Sequence, residues 1–95
     1  VTVSLINKKN GEPSIELTNG NWFEILDIPG MERLIDTEHF CDSVEGNANT
    51  AQKMADLIAN WAPLDKWGNG DPEFQERLKN RVVEFLRTCE GFYTY

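Results

Sequence analysis

Cysteine, histidine and long apolar runs are all scarce in this sequence, and each scarcity excludes something. Two cysteines, Cys41 and Cys89, in 95 residues are too few for a disulfide framework, and thiols used so sparingly point to a reducing compartment. A single bridge between them stays open on sequence alone. Both read as small buried apolar groups, Cys89 because it continues a helical stripe. The sole histidine, His39, leaves the chain without the second Cys/His pair that small zinc domains draw on. No apolar run approaches the roughly 20 residues that cross a bilayer. Val1-Thr2-Val3-Ser4-Leu5 has neither the basic region nor the apolar block of a signal peptide. The expectation is a cytoplasmic protein that does not touch a membrane. Internal repeats, low-complexity tracts and long linkers are lacking too, so residues 1–95 read as one domain.

Bases are scarce in one place above all. From Glu12 to Glu45 there are nine carboxylates (Glu12, Glu16, Glu24, Asp27, Glu32, Asp36, Glu38, Asp42 and Glu45) opposed only by Arg33, a formal charge of −8 against −7 for the whole chain. The remainder is therefore nearly neutral. A concentrated negative field repels nucleic acid and attracts basic partners or cations. With 26% charged and 40% hydrophobic residues the chain has the balance of an ordinary soluble domain. Its ten aromatics suffice for a core, so no cofactor is expected.

The order of elements is readable in outline. Val1, Val3 and Leu5 alternate with Thr2 and Ser4, and Ile15 and Leu17 flank Glu16, the period of half-buried strands. Asn10-Gly11 between them supplies the positive φ of a tight reversal, predicting a hairpin. Thr18 to Asn21 forms a turn able to cap a short helix carrying Trp22, Phe23, Ile25 and Leu26, ended by Pro29-Gly30. Met31, Leu34 and Ile35 predict one more turn of helix or an irregular packed segment. Residues 36–49 predict a loop, or a short strand around His39 to Val44.

Asn49 or Asn47 caps the next helix, whose stripe is Ala51, Met54, Ala55, Leu57, Ile58 and Trp61, with Pro63 as its stop. Asp71-Pro72-Glu73 opens another, lined by Phe74, Leu78, Val82, Phe85, Leu86 and Cys89, with Gly91 as a left-handed C-cap. Phe92 to Tyr95 has the composition of a strand, returning to the N-terminal hairpin. The fold class expected is α+β. An N-terminal β-hairpin and a C-terminal strand form a small antiparallel sheet, packed by two main helices and one short helix.

Clusters with chemical potential are few. Asp36, Glu38, His39 and Cys41, with Asp42 beside them, offer ligand types for a divalent metal. The absence of a second Cys/His pair favours a solvated acidic loop with Phe40, and Cys41 beside it, turned inward. As nucleophile and base, His39 and Cys41 lack an orienting third group and an oxyanion loop. Glu24 and Asp27 beside Trp22 and Phe23 are the nearest approach to a tuned acid, and read more simply as the polar side of an amphipathic turn. Gly68-Asn69-Gly70 is too short to cradle phosphate and runs into Asp71. Arg77, Lys79, Arg81 and Arg87 give the last helix a basic side. Interspersed Glu73, Glu76 and Glu84 make it too mixed for a nucleic-acid surface. Trp67, in a Gly/Asn loop, either folds over the core as a lid or stands exposed as an interface anchor.

The run Asn19-Gly20-Asn21-Trp22-Phe23-Glu24-Ile25-Leu26, a helix with Ala51, Met54, Ala55 and Leu57, and Phe85-Leu86 followed by Cys89-Glu90-Gly91-Phe92 resemble a pattern of small uncharacterised bacterial proteins. The resemblance spans most of the chain through core and capping positions. It implies a shared fold and carries no activity or catalytic residues. In size and charge alone the chain is also similar to toxin-neutralising immunity proteins and to phage inhibitors that imitate nucleic acid. The reading that follows is a non-enzymatic module docking a basic protein surface through Glu32, Asp36, Glu38 and Asp42, with Trp67 as anchor. Two alternatives stand beside it. One is an accessory domain that self-associates through Trp67 or the aromatic segment Phe92–Tyr95; the other is a small metal-dependent enzyme at His39 and Cys41.

Overall fold

A computed structural model of the protein describes residues 2–11, 13–37, 43–62 and 67–95. It opens with strands β1 (Thr2–Asn7) and β2 (Pro13–Thr18), paired antiparallel with Leu5 opposite Ile15 and Val3 opposite Leu17. Opposed residues in such a pair share a face. Leu5, Ile15 and Leu17 therefore enter the core together and are buried, while Glu16 is exposed on the other side. The reversal closes through Gly11, at φ +68°, whose N–H donates to the Asn7 carbonyl at 2.8 Å. An irregularity between Leu5 and Ile6 shifts the register there, setting Ile6 opposite Pro13.

Thr18 ends β2 and caps α1 (Asn19–Leu26), its hydroxyl accepting from the Asn21 N–H at 3.2 Å. Trp22, Ile25 and Leu26 are its buried face. Gly30, at φ +95°, then starts a single 3₁₀ turn over Met31–Arg33. Met31 and Ile35 are buried there and Leu34 half-buried.

A two-residue strand, β3 (Glu45–Gly46), precedes α2 (Ala48–Ala59). It lies just beyond the window in which sequence placed a short strand; of that window, His39–Asp42 falls outside the described residues. Asn47, not Asn49, caps α2 by accepting from the Thr50 N–H at 2.8 Å. Ala51, Met54, Ala55 and Ile58 are its buried stripe, and Leu57 is half-buried. The helix stops at Asn60, short of Pro63, which lies outside the described residues; Trp61 is therefore past its end and half-buried rather than core.

A 3₁₀ turn at Trp67–Gly70 leads to α3 (Pro72–Thr88), capped by Asp71 accepting from the Glu73 N–H at 3.0 Å. Leu78, Val82, Phe85 and Leu86 are buried along it, with Cys89, a free thiol, beyond its end. Two expectations are corrected here. Phe74 is 38% exposed: the buried stripe of α3 starts at Leu78, and the first turn packs along its Gln75 side, on the Trp67 carbonyl, leaving Phe74 outward. Gly91 is not the helix cap; Cys89 ends α3 in extended conformation, and Gly91, at φ +113°, belongs to the turn into β4 (Phe92–Thr94).

Strand β4 pairs antiparallel with β1 on one side and with β3 on the other, giving the order β2-β1-β4-β3. Ser4 and Tyr95 exchange both backbone hydrogen bonds, at 3.1 and 3.0 Å, extending the β1–β4 ladder by one pair. The result is the α+β class expected, with β3 as a fourth strand, and α2 packs closely on α3. The inward face of the sheet carries Leu5, Ile15, Leu17, Phe92 and Thr94, all buried. The same pairing puts Ile6 beside Tyr93 and Ser4 beside Tyr95 on the opposite face, where Tyr95 is 86% exposed.

Gly46 leaves no room for a side chain in this packing. A Cβ there would lie 2.8 Å from the fully buried ring of Phe92 and 3.1 Å from the Thr50 methyl. Gly46→Ala is expected to cost about 1–2 kcal/mol through overpacking. Urea denaturation checks it, and an unchanged midpoint would mean that β3 can shift away from β4.

Candidate functional site

The acid-rich segment acquires its geometry from two apolar pegs. Met31 and Ile35, four residues apart, are buried at 0% and 7% exposure, which fixes the chain between them against the core. Glu32 and Asp36, each one residue further along, are consequently exposed. Glu32 also closes its own turn, its carboxylate accepting from the Gly30 N–H at 3.1 Å. Asp27, at the end of α1, and Glu16 on β2 are exposed as well. Glu45 is exposed and pairs with Lys8 at 3.4 Å, a surface ion pair that contributes little to stability. Glu24 is half-buried. Of the four carboxylates read as the docking set, the structure thus places Glu32 and Asp36 at the surface of one short segment; Glu38 and Asp42 lie outside the described residues.

Trp67 does not belong to that set. It is fully buried, its indole N–H donating to the Asn21 carbonyl at 3.0 Å and its ring meeting Trp61 edge-on at 5.4 Å between centroids. A residue with no accessible surface cannot anchor a partner, so the exposed-anchor expectation is overturned and the lid expectation describes its position. Part of the cause is long-range: its indole N–H finds the Asn21 carbonyl on α1, while Trp61 and Gln75 meet it from the flanking ends of α2 and α3.

Of the metal-ligating candidates, Asp36 is exposed, and Glu38, His39 and Cys41 lie outside the described residues. Among the described residues no group of three or more His, Cys, Asp or Glu side chains converges as a metal site. Cys89 is buried, its thiol 3.6 Å from the Leu86 carbonyl, the environment of a packing residue. Among the described residues no helix is long and apolar enough to cross a membrane.

Several shallow surface grooves border α2 and α3, and two of them bear on the site. One, of about 390 Å³, lies between Ile28–Pro29 and the end of α2, lined by Asp56, Leu57, Asn60 and Trp61. Its polar groups are already engaged: Arg87 holds Asp56 at 3.0 Å, and Lys79 donates to the Trp61 carbonyl at 2.6 Å. The other, of about 270 Å³, lies at the start of α3 between Phe74, Arg77, Leu78 and Arg81. Sequence reading missed this second groove because it assigned Phe74 to the core. The signal available was position: a residue in the first turn after an Asp-Pro cap stands at the end of the stripe.

No family model, curated protein or solved structure matches the chain.

Proposed function

We propose that this domain is a non-enzymatic protein-binding module of the immunity or inhibitor kind, and that its acid-rich surface docks a basic partner. The supporting observation is that Glu32 and Asp36 are exposed on one short segment of the stretch with nine carboxylates and one base; Asp27 is exposed just before it, while Glu16 and Glu45 are exposed on opposite edge strands of the sheet. Among the described residues Glu16, Asp27 and Glu32 have no ion pair, and Glu45 holds Lys8 only through a surface contact. Exposed charge of one sign steers a partner of the other and suppresses wrong ones, and its action is screened within about 8 Å at physiological salt. The partner class is a protein with a clustered Lys/Arg surface, and the site of action is the cytoplasm. Nucleic acid is repelled by the same field.

The test is affinity capture from the lysate of the source cell at low and high salt, with bound proteins identified by mass spectrometry. A basic partner is expected at low salt and lost at high salt. Neutralising Glu32, Asp36, Glu38 and Asp42 together, as E32Q/D36N/E38Q/D42N, is expected to reduce its capture at least tenfold without shifting the thermal unfolding midpoint. Capture that survives this variant sinks the proposal.

A further inference from the structure

The order β2-β1-β4-β3 leaves β2 at an edge of the sheet. Ser4 exchanges both backbone hydrogen bonds with Tyr95, so its N–H and carbonyl face β4. Alternation turns Val3 and Leu5 the other way, toward Leu17 and Ile15 of β2. Glu16, between those two, consequently points its N–H and carbonyl away from β1, out of the open edge. Among the described residues nothing bonds to these groups, and the exposed Glu16 carboxylate has no ion pair or hydrogen bond. On the core face of the same edge Ile15 borders a groove of about 260 Å³ shared with Phe85 and Thr88; its other lining groups, Arg81 and Glu84, carry opposite charges. The opposite edge strand, β3, is two residues long, and its Glu45 is paired with Lys8.

An unpaired strand edge is a template for another strand. Main-chain bonds hold an added segment, and its alternate side chains select it. An antiparallel segment here sets one residue directly opposite Glu16, where it exchanges both backbone bonds and lays its side chain beside the carboxylate. The next residue lies on the core face opposite Ile15 and meets the groove. We propose that the β2 edge binds an extended segment of a partner in which Lys or Arg is followed by an aliphatic residue. The base pairs with Glu16, and the aliphatic side chain enters the groove between Ile15 and Phe85. A second copy of β2 does not fit. Antiparallel pairing that sets Ile15 against Leu17 puts Glu16 directly opposite Glu16, and like charges so placed are destabilising. This edge uses neither Glu32 nor Asp36, so binding there goes beyond the docking reading and does not require it.

The probe is the peptide acetyl-TVKLT-amide, added to the full chain at low salt up to about 5 mM, a range that reaches weak contacts of this size. Amide NMR shifts are expected to move at Ile15, Glu16 and Leu17, and at Phe85 and Thr88 across the groove. The Glu16 amide is expected to exchange more slowly with solvent. Acetyl-TVELT-amide, with an acid opposite Glu16, is expected to bind at least about threefold more weakly. In E16K that preference reverses. E16P removes the outward N–H at a position where an edge strand tolerates proline, and is expected to bind neither peptide. E16K, folded by circular dichroism, carries the test if E16P does not fold. No shift at β2 up to the highest peptide concentration overturns the proposal, as does equal binding of the two peptides or an unchanged preference in E16K. Shifts confined to Glu32–Asp36 overturn it too, placing the basic peptide on the docking surface instead.

Discussion

Trp67→Ala is expected to destabilise the domain by about 3–5 kcal/mol, the cost of emptying a large buried aromatic site. A domain of this size is held by only about 5–15 kcal/mol, so much of the population would unfold under mild denaturant. Three contacts converge on this residue. The ring is fully buried and meets Trp61 at 82°, an edge-to-face contact. The indole N–H donates to the Asn21 carbonyl at 3.0 Å, tying the turn between α2 and α3 to the start of α1. The Trp67 carbonyl accepts from the Gln75 side-chain amide at 2.6 Å, tying the same turn to α3. Trp67→Phe separates these contributions. It keeps most of the apolar volume and removes the indole donor, so about 1–2 kcal/mol is expected from the lost hydrogen bond and the smaller ring. Urea denaturation of both variants checks this; a Trp67→Ala loss below about 1 kcal/mol would show that the turn contributes little to the core.

The position of Trp67 also shows where sequence ceases to be informative. Helix starts were legible because capping is local: Thr18, Asn47 and Asp71 each accept from an N–H two or three residues ahead, and the residue types announce it. The alternation that marked Leu5, Ile15 and Leu17 as strand residues is local in the same sense; their register is not. Periodicity likewise found the buried stripe from Leu78 to Leu86, since it reports which residues share a helix face. It does not report where along the helix the buried stripe starts, and Phe74 was misplaced for that reason. Trp67 sits in a stretch of turn-forming residues, and its indole N–H pairs with the Asn21 carbonyl on α1, a contact that no window around Trp67 could reveal. Strand β3 is two residues long and exists because β4 lies beside it. The surface followed the same division. Counting charges was enough to find the acid-rich stretch. That Met31 and Ile35 leave Glu32 and Asp36 outward, and that the Arg77–Arg81 pair borders an apolar groove, are consequences of packing.

Thr94→Val is expected to cost about 1–3 kcal/mol although it preserves shape almost completely. Thr94 is 3% exposed, the one polar side chain within the core of the described residues. Its N–H donates to the Val44 carbonyl at 2.8 Å, and its hydroxyl accepts from the Val44 N–H, also at 2.8 Å. A side-chain oxygen thus takes the place that a backbone carbonyl of β4 would fill in a regular antiparallel pair, one residue beyond the Glu45–Tyr93 pair. Replacing the hydroxyl by a methyl leaves the Val44 N–H buried without an acceptor, and an unmade buried bond costs far more than a made one contributes. Thr94→Ser keeps the oxygen and loses one methyl, so it is expected to cost about 1 kcal/mol or less, reversing the order that hydrophobicity alone predicts. Hydrogen exchange gives a local reading: the Val44 amide is expected to stay protected in Thr94→Ser and to exchange faster in Thr94→Val. Equal stability of the valine variant and the unaltered chain would show that this amide finds another acceptor. Val44 is where the acid-rich stretch rejoins the sheet, just before Glu45. Thr94 therefore fixes Val44, next to Glu45, against β4, while the pegs Met31 and Ile35 set Glu32 and Asp36 at the surface.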